Sequence, residues 1–178
     1  MNIPNILTVI RFLLIPVFAY QYLVYGNVVW ATIILVLSGV TDVLDGYIAR
    51  RFNLVTKWGV VFDPIADKLT QLTVAFCIAF RGLELMWIAF GLMLVKELVL
   101  VSGGIKLYRK ADVVVPANWI GKLATLVFYL VFFTLILFEN EITLEVKETM
   151  VIVALSLSIF ALFSYAINFF KIQKNFFK

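Results

Sequence analysis

Histidine is absent from this 178-residue chain, and cysteine occurs once. The first absence excludes a histidine base, a histidine nucleophile and histidine-ligated zinc. The second excludes an intrachain disulfide, and Cys77, set in an apolar run, reads as a core thiol. Charge is scarce as well: charged residues are 15% of the chain against 63% hydrophobic, and mean hydropathy is +1.04. A soluble domain is about 45–50% apolar, so this is the composition of an integral membrane protein. No fixed-period repeat, low-complexity stretch or long linker divides the chain, which predicts a single domain over residues 1–178. The first apolar stretch lacks a basic leader and a small-residue cleavage site, so a retained first span is expected.

What the chain has is long apolar runs. A membrane-crossing helix needs about 20 mostly apolar residues, and six such runs appear: Ile6–Tyr25, Val28–Ile48, Gly59–Phe80, Leu83–Leu107, Trp119–Phe138 and Thr149–Phe170. The predicted fold is an all-α integral membrane protein, a bundle of six transmembrane helices. Gly26-Asn27 is a turn signal, Arg81-Gly82 closes the third run, and Tyr108 to Pro116 reads as a basic loop. Arg50, Arg51 and Lys57, then Lys106, Arg109 and Lys110, then Lys171, Lys174 and Lys178 all fall on one face. The opposite face carries the acidic stretch with Glu139, Glu141, Glu145 and Glu148. Positive loops stay in the cytoplasm, so both termini are expected there. The net charge of +4 is mostly this orientation signal. The tail from Phe169 to Lys178 reads as an amphipathic segment lying on the inner leaflet.

Against this apolar background, Asp42, Asp45, Asp63 and Asp67 are conspicuous. Acids within membrane spans are costly and need a counter-charge. The first two are three apart and the last two four apart, so each pair lies on one helix face. The second run ends near one pair and the third begins near the other, and the link between them is short. Antiparallel neighbours then bring all four acids to a similar depth, near the cytoplasmic interface. Their repulsion is relieved by protonation or by a divalent ion, and an all-oxygen ligand set suits Mg²⁺ or Mn²⁺, with Ca²⁺ also admissible. Four acids can bridge two ions, an arrangement used in phosphoryl chemistry. Gly46 and Gly59 let phosphates approach the backbone, Arg50 can fork onto a phosphate, and Pro64 is expected near a helix start, where proline is tolerated. The bland alternative is a set of interfacial acids paired with neighbouring Lys and Arg.

Asp42-x-x-Asp45-Gly46-x-x-Ala49-Arg50, followed by Gly59-x-x-x-Asp63-x-x-x-Asp67, resembles the complete signature of the CDP-alcohol phosphotransferases. The resemblance covers the whole chain and is most marked toward phosphatidylglycerophosphate synthases. It implies that Asp42, Asp45, Asp63 and Asp67 hold two ions, Mg²⁺ or Mn²⁺, which bind the diphosphate of a CDP-linked lipid. It makes Asp67 the base that deprotonates an acceptor hydroxyl, and Gly46, Arg50, Thr56 and Gly59 contacts of the nucleotide or diphosphate. Pro4-Asn5-Ile-Leu-Thr8-Val-Ile-Arg11 is similar to the start of the same branch and adds Asn5 and Thr8 to the CDP site. Read alone, Asn5 is equally a helix N-cap and Arg11 a snorkelling residue.

Glycerol 3-phosphate is the acceptor that the resemblance favours, and its dianion needs cations. Lys122, Arg109, Lys106 and Arg11 are the candidates. Trp119-Ile-Gly121-Lys122-Leu-Ala124-Thr125 resembles the Gly-Lys-x-Lys-Thr segment of the branch, with Ala124 in place of the second lysine. Lys122 also reads as a snorkelling lysine, and Lys96-Glu97 as either a brace or part of the acceptor pocket. The competing expectation within the superfamily is a cardiolipin synthase that takes phosphatidylglycerol. From another class, intramembrane acids also suit a cation transporter. CDP-diacylglycerol, a hydroxyl acceptor and the lipid bilayer are the expected partners, with no nucleic acid. The resemblance also implies a homodimer in a bacterial cytoplasmic membrane, its active site facing the cytoplasm.

Overall fold

A computed structural model describes residues 2–52, 54, 56–111 and 119–176 of the chain. Six helices follow one another: α1 (Ile3–Leu23), α2 (Val28–Arg51), α3 (Lys57–Phe80), α4 (Leu85–Ala111), α5 (Trp119–Leu137) and α6 (Leu144–Phe176). No strand occurs among the described residues.

Local chemistry fixes the helix ends. Pro4 opens α1, where its missing N–H is not needed. The chain reverses after α1 through Gly26, whose φ of +62° suits glycine. Asn27 then caps α2, its Oδ1 accepting from the Trp30 N–H at 3.1 Å. Thr56 caps α3 by accepting from the Gly59 N–H at 3.0 Å. Gly82, with φ +108°, turns the chain after α3. Glu145 in the first turn of α6 complements the helix dipole.

Three expectations shift. The basic residues 106, 109 and 110 continue α4, which runs to Ala111 in place of ending in a loop. Pro64 lies well inside α3, since the Thr56 cap starts that helix at Lys57. It therefore removes one intrahelical hydrogen bond beside Asp63. The tail does not break from the last helix: α6 begins at Leu144 and is continuous to Phe176. Its 33 residues extend about 50 Å at 1.5 Å each, longer than a hydrocarbon core of about 30 Å.

Among the described residues, four segments are long and apolar enough to cross a membrane: Pro4–Leu23, Val28–Ala49, Trp119–Leu137 and Leu144–Ile167. Helices α3 and α4 match them in length; Asp63, Asp67 and Lys68 interrupt α3, and Lys96-Glu97 lies within α4. Outward faces are apolar, with Leu13, Val29, Leu98 and Phe163 each more than 60% exposed. Such a surface matches lipid and not water.

Helix α1 packs on α2 and α3; α3 also meets α4 and α5; α5 meets α2 and α6, and α6 meets α4. The core gathers Phe18 and Tyr22 of α1, Val74 and Cys77 of α3, and Phe132 and Ile136 of α5. Fully buried Ala31, Ala75, Ala89 and Ala154 let helix backbones approach. Cys77 is buried and free, a core thiol as expected. These core positions lie in the second half of α1 and α3. The opposite end, where α1 starts, α2 ends and α3 starts, is left for polar groups.

Candidate active site

The N-terminal turns of α1 and α3 are stitched together by oxygen atoms. Thr56 Oγ1 donates to Asn5 Oδ1 at 2.8 Å while accepting from the Gly59 N–H. Asn5 is thus a side chain of this seam; the α1 N-cap is Asn2, which makes no side-chain cap. Thr8, itself buried, donates to Asp63 Oδ1 at 2.5 Å. Gly59 sits in the middle. A Cβ there would lie 3.3 Å from Thr56 Oγ1, 3.4 Å from Asp63 Oδ2 and 3.5 Å from Asn5 Oδ1. Three polar side chains thus close over the glycine, and a Cβ there would crowd Thr56 Oγ1 by a few tenths of an ångström.

Beside this seam opens a cleft of about 530 Å³, lined by Asn5, Thr8, Val9, Phe12, Trp58 and Phe62, with Gly59 in its wall. Trp58 and Phe62 stack with centroids 4.6 Å apart, and Phe12 meets Phe62 edge-on. The cleft is polar where it reaches Asn5 and Thr8 and aromatic elsewhere.

One turn deeper on α1, Arg11 is 1% exposed. Its Nη1 lies 2.7 Å from Asp42 Oδ1, and its Nη2 donates to Asp45 Oδ2. Asp45 is as buried as Arg11, whereas Asp42 is about half exposed. A buried arginine without acids would be strongly destabilising, so α1 and α2 are locked together here. The fit is imperfect: Nε and Nη1 of Arg11 make no aligned hydrogen bond. Arg11, expected among the acceptor ligands, is instead enclosed and committed to these two acids.

Asp67 faces α5. Tyr129 Oη donates to Asp67 Oδ1 at 2.5 Å, and Gln71 Nε2 lies 3.4 Å from Oδ1 and 3.2 Å from Oδ2. Asp42 is within electrostatic range of both Asp63 and Asp67, and Asp45 within range of Asp63. The expected convergence is nevertheless incomplete: among the described residues, no group of three acids is placed to hold one ion directly. Arg11 draws Asp42 and Asp45 together, while Thr8 holds Asp63 and Tyr129 holds Asp67. The donor set still fits an oxygen-ligated divalent cation. The Arg11 guanidinium already plays the part of a cation between two of the acids, and Asp63 Oδ2 and Asp67 Oδ2 are not taken by Thr8 or Tyr129.

A second cavity, of about 290 Å³, lies between α3, α4, α5 and α6. Lys68 and Lys96 enter it together with Thr125, Ser158 and Tyr165. Both lysines pair with Glu97, at 3.2 and 3.1 Å. Lys68 follows Asp67 in sequence, and Thr125 lies one turn from Tyr129 on α5. The side chains of Arg50, Lys106, Arg109 and Lys122 lie outside the described residues, although their backbones belong to α2, α4 and α5. Gly46 is helical and half-buried in α2.

Sequence reasoning missed Lys68, Gln71 and Tyr129. Gln71 was within reach as the i+4 neighbour of Asp67, and Lys68 as the next residue. Tyr129 carried no such signal, being 62 residues away.

The comparisons with known proteins agree with this geometry. Residues 1–160 match the family model described as CDP-alcohol phosphatidyltransferase. A "Putative cardiolipin synthase" of Mycobacterium tuberculosis is 36% identical over 138 residues, which is 77% of this chain and 65% of that protein. The chain therefore spans somewhat less than two thirds of that relative's length. A "CDP-diacylglycerol--glycerol-3-phosphate 3-phosphatidyltransferase" of Rickettsia typhi is 37% identical over 126 residues, 70% of either chain. One of the same name from Pectobacterium atrosepticum is 30% identical over 173 residues, 92% of either chain. The matched region contains all four acids, the seam over Gly59 and the Asp67–Tyr129 contact, and on these grounds the chain belongs to the CDP-alcohol phosphatidyltransferase family.

Proposed function

We propose that this chain transfers a phosphatidyl group from CDP-diacylglycerol to a hydroxyl of glycerol 3-phosphate and releases CMP. The observation that carries this reading is the seam from Asn5 through Thr56 and Gly59 to Thr8 and Asp63, running along a cleft with an aromatic wall. A CDP-linked lipid has a matching division into polar diphosphate and apolar tails. In this reading Asn5, Thr8, Gly46, Arg50, Thr56 and Gly59 contact the CDP part. Asp42, Asp45, Asp63 and Asp67 would hold two divalent ions, Mg²⁺ or Mn²⁺. When bound, those ions supply positive charge to the diphosphate.

The residues of the chain do the rest. Asp67, with Oδ1 occupied by Tyr129, offers Oδ2 to the acceptor hydroxyl and takes its proton. The hydroxyl oxygen forms a bond to the phosphorus bearing the diacylglycerol. The bond from that phosphorus to the bridging oxygen breaks, and CMP leaves with the bonding pair. Thr8 keeps Asp63 oriented toward the cleft, and Arg11 keeps Asp42 and Asp45 in register across α1 and α2.

The acceptor is assigned to the second cavity. Two lysines there share one glutamate, so the cavity carries a net positive charge suited to a phosphate monoester. Lys68 and Lys96 thus join Lys122, Arg109 and Lys106 as acceptor-side cations, and Arg11 leaves that set. The mycobacterial relative's name and the apolar residues Leu100, Ala124, Ala161 and Leu162 in the same cavity favour a second reading, cardiolipin synthesis from phosphatidylglycerol. In either case six helices cross a bacterial cytoplasmic membrane, both termini and the site face the cytoplasm, and two copies pair.

The test is an acceptor screen with labelled CDP-diacylglycerol, protein in detergent or vesicles, and Mg²⁺ or Mn²⁺. Glycerol 3-phosphate should yield CMP and an acidic phospholipid product. Product formed only with phosphatidylglycerol would transfer the assignment to the second reading. Ion flux into vesicles with no CMP under any condition would replace the enzyme with a transporter.

A further inference from the structure

We infer that Tyr129 is a positioning residue for Asp67, fixing the direction in which its carboxylate meets the acceptor hydroxyl. This rests on the reading of Asp67 as the base. The geometry is specific. A phenol has one proton to donate, and Tyr129 places it on Asp67 Oδ1 at 2.5 Å. Gln71, itself 2% exposed, adds an N–H at 3.4 Å from the same oxygen and 3.2 Å from the other. Oδ1 therefore takes the short phenol bond, and among the described residues Oδ2 accepts only from Gln71, at 3.2 Å. Rotation about the Asp67 side-chain bonds would change the direction in which the second oxygen points, and the Tyr129 bond holds that direction.

Tyr129 is itself held. It packs against the apolar core from α5, between Phe128 and Phe132 and their neighbours. Phe128 and Phe132 are at most 2% exposed, which fixes the rotation of α5 about its axis. Helix α5 also packs on α2, α3 and α6. The phenol thus transmits the rigidity of the apolar core to a carboxylate at the edge of the site. The second cavity contains Thr125, one turn from Tyr129 on the same helix, so the phenol lies on the helix that borders the cavity where the acceptor is assigned.

The experiment compares wild type with Tyr129→Phe, measuring kcat, KM for CDP-diacylglycerol and the melting temperature. Misplacing a reacting group by about 1 Å costs on the order of 100-fold; kcat should fall by roughly 10- to 100-fold, with KM for the CDP-lipid within about twofold. The ring is retained, so the melting temperature should move little. A kcat within twofold of wild type, or a loss confined to KM, overturns the role. An independent readout uses the native tyrosine: in infrared difference spectra, the phenol C–O band assigned by its absence in Tyr129→Phe should shift in Asp67→Asn. An unshifted band overturns the contact even if Tyr129→Phe proves unstable. If wild type shows no CMP release while the band shifts, the functional reading fails and the contact stands.

Discussion

The two ends of α1 each meet an arginine and a carboxylate, but acids outnumber cations at one end only. At the far end, Arg81 Nε lies 3.0 Å from Glu139 Oε1, and its Nη1 donates to the Tyr22 carbonyl at 3.0 Å. The guanidinium lies 4.8 Å from the centre of the Tyr22 ring, whose Oη donates to Glu139 Oε2 at 3.2 Å. Lys147 Nζ donates to the Glu139 carbonyl at 2.5 Å. The Glu139 carboxylate is met there by one cation and a phenol, with a second cation on its backbone carbonyl. At the near end, one enclosed Arg11 faces Asp42 and Asp45, with Asp63 and Asp67 within electrostatic range. Both constellations join helices, and their chemistry diverges because of the surplus. The far end is a brace for α1, α3 and α6. The near end holds more negative charge than Arg11 neutralises, which is the condition for recruiting cations.

The largest expected effect lies at the near end. Asp67→Asn removes the base while keeping the volume, and turnover should fall by about 10³-fold or more, within the range of lost general-base catalysis. CMP release measured on folded protein checks this; wild-type-like turnover would remove Asp67 from the role. Next comes Arg11→Met, which leaves buried Asp45 without its cation. Breaking such a pair costs about 3–5 kcal/mol. Thermal unfolding in chelator should show this loss, and Mn²⁺ should restore more stability to the variant than it adds to wild type. An equal Mn²⁺ shift in both proteins would show that Arg11 is not the internal counter-cation. The smallest effect belongs to the brace. Arg81→Met should lower stability by about 1–3 kcal/mol, the scale of hydrogen bonds to charged groups, with kcat and KM per folded molecule unchanged. A specific loss of kcat there would erase the distinction between the two ends.

Much of this division could be read from residues alone, because it rests on local rules. Gly26 and Gly82 turn the chain where the sequence suggests, both with positive φ. The helical spacing of Asp63 and Asp67 places them on α3 as expected. Gly59 sits under Thr56, Asp63 and Asn5, a seam that its reading as a point of phosphate access did not anticipate. The illegible part is what tertiary packing decides. Arg11 finds its acids on a different helix, and nothing in residues 4–11 reveals that it turns inward to them. Asn5 resembles a cap, but the helix begins earlier and its amide is used by Thr56 instead. Residues 108–111 look like the start of a basic loop because their charge ends the apolar run, yet charged residues form helix readily once a long helix is nucleated; the rest of that loop, 112–116, lies outside the described residues. Tyr129 reads as one more aromatic in an apolar span; its hydroxyl acquires meaning only when α5 is laid on α3.

The central claim is that the surplus of acid at the near end works through divalent cations on a CDP-linked lipid. Its most direct test is CMP release from CDP-diacylglycerol with glycerol 3-phosphate, measured with Mg²⁺ or Mn²⁺ and again after chelation. The account predicts CMP and phospholipid product in equal amounts with either ion, both lost on chelation and recovered when the ion is returned. Transfer that continues undiminished in chelator, or no CMP with any acceptor and either ion, would contradict it.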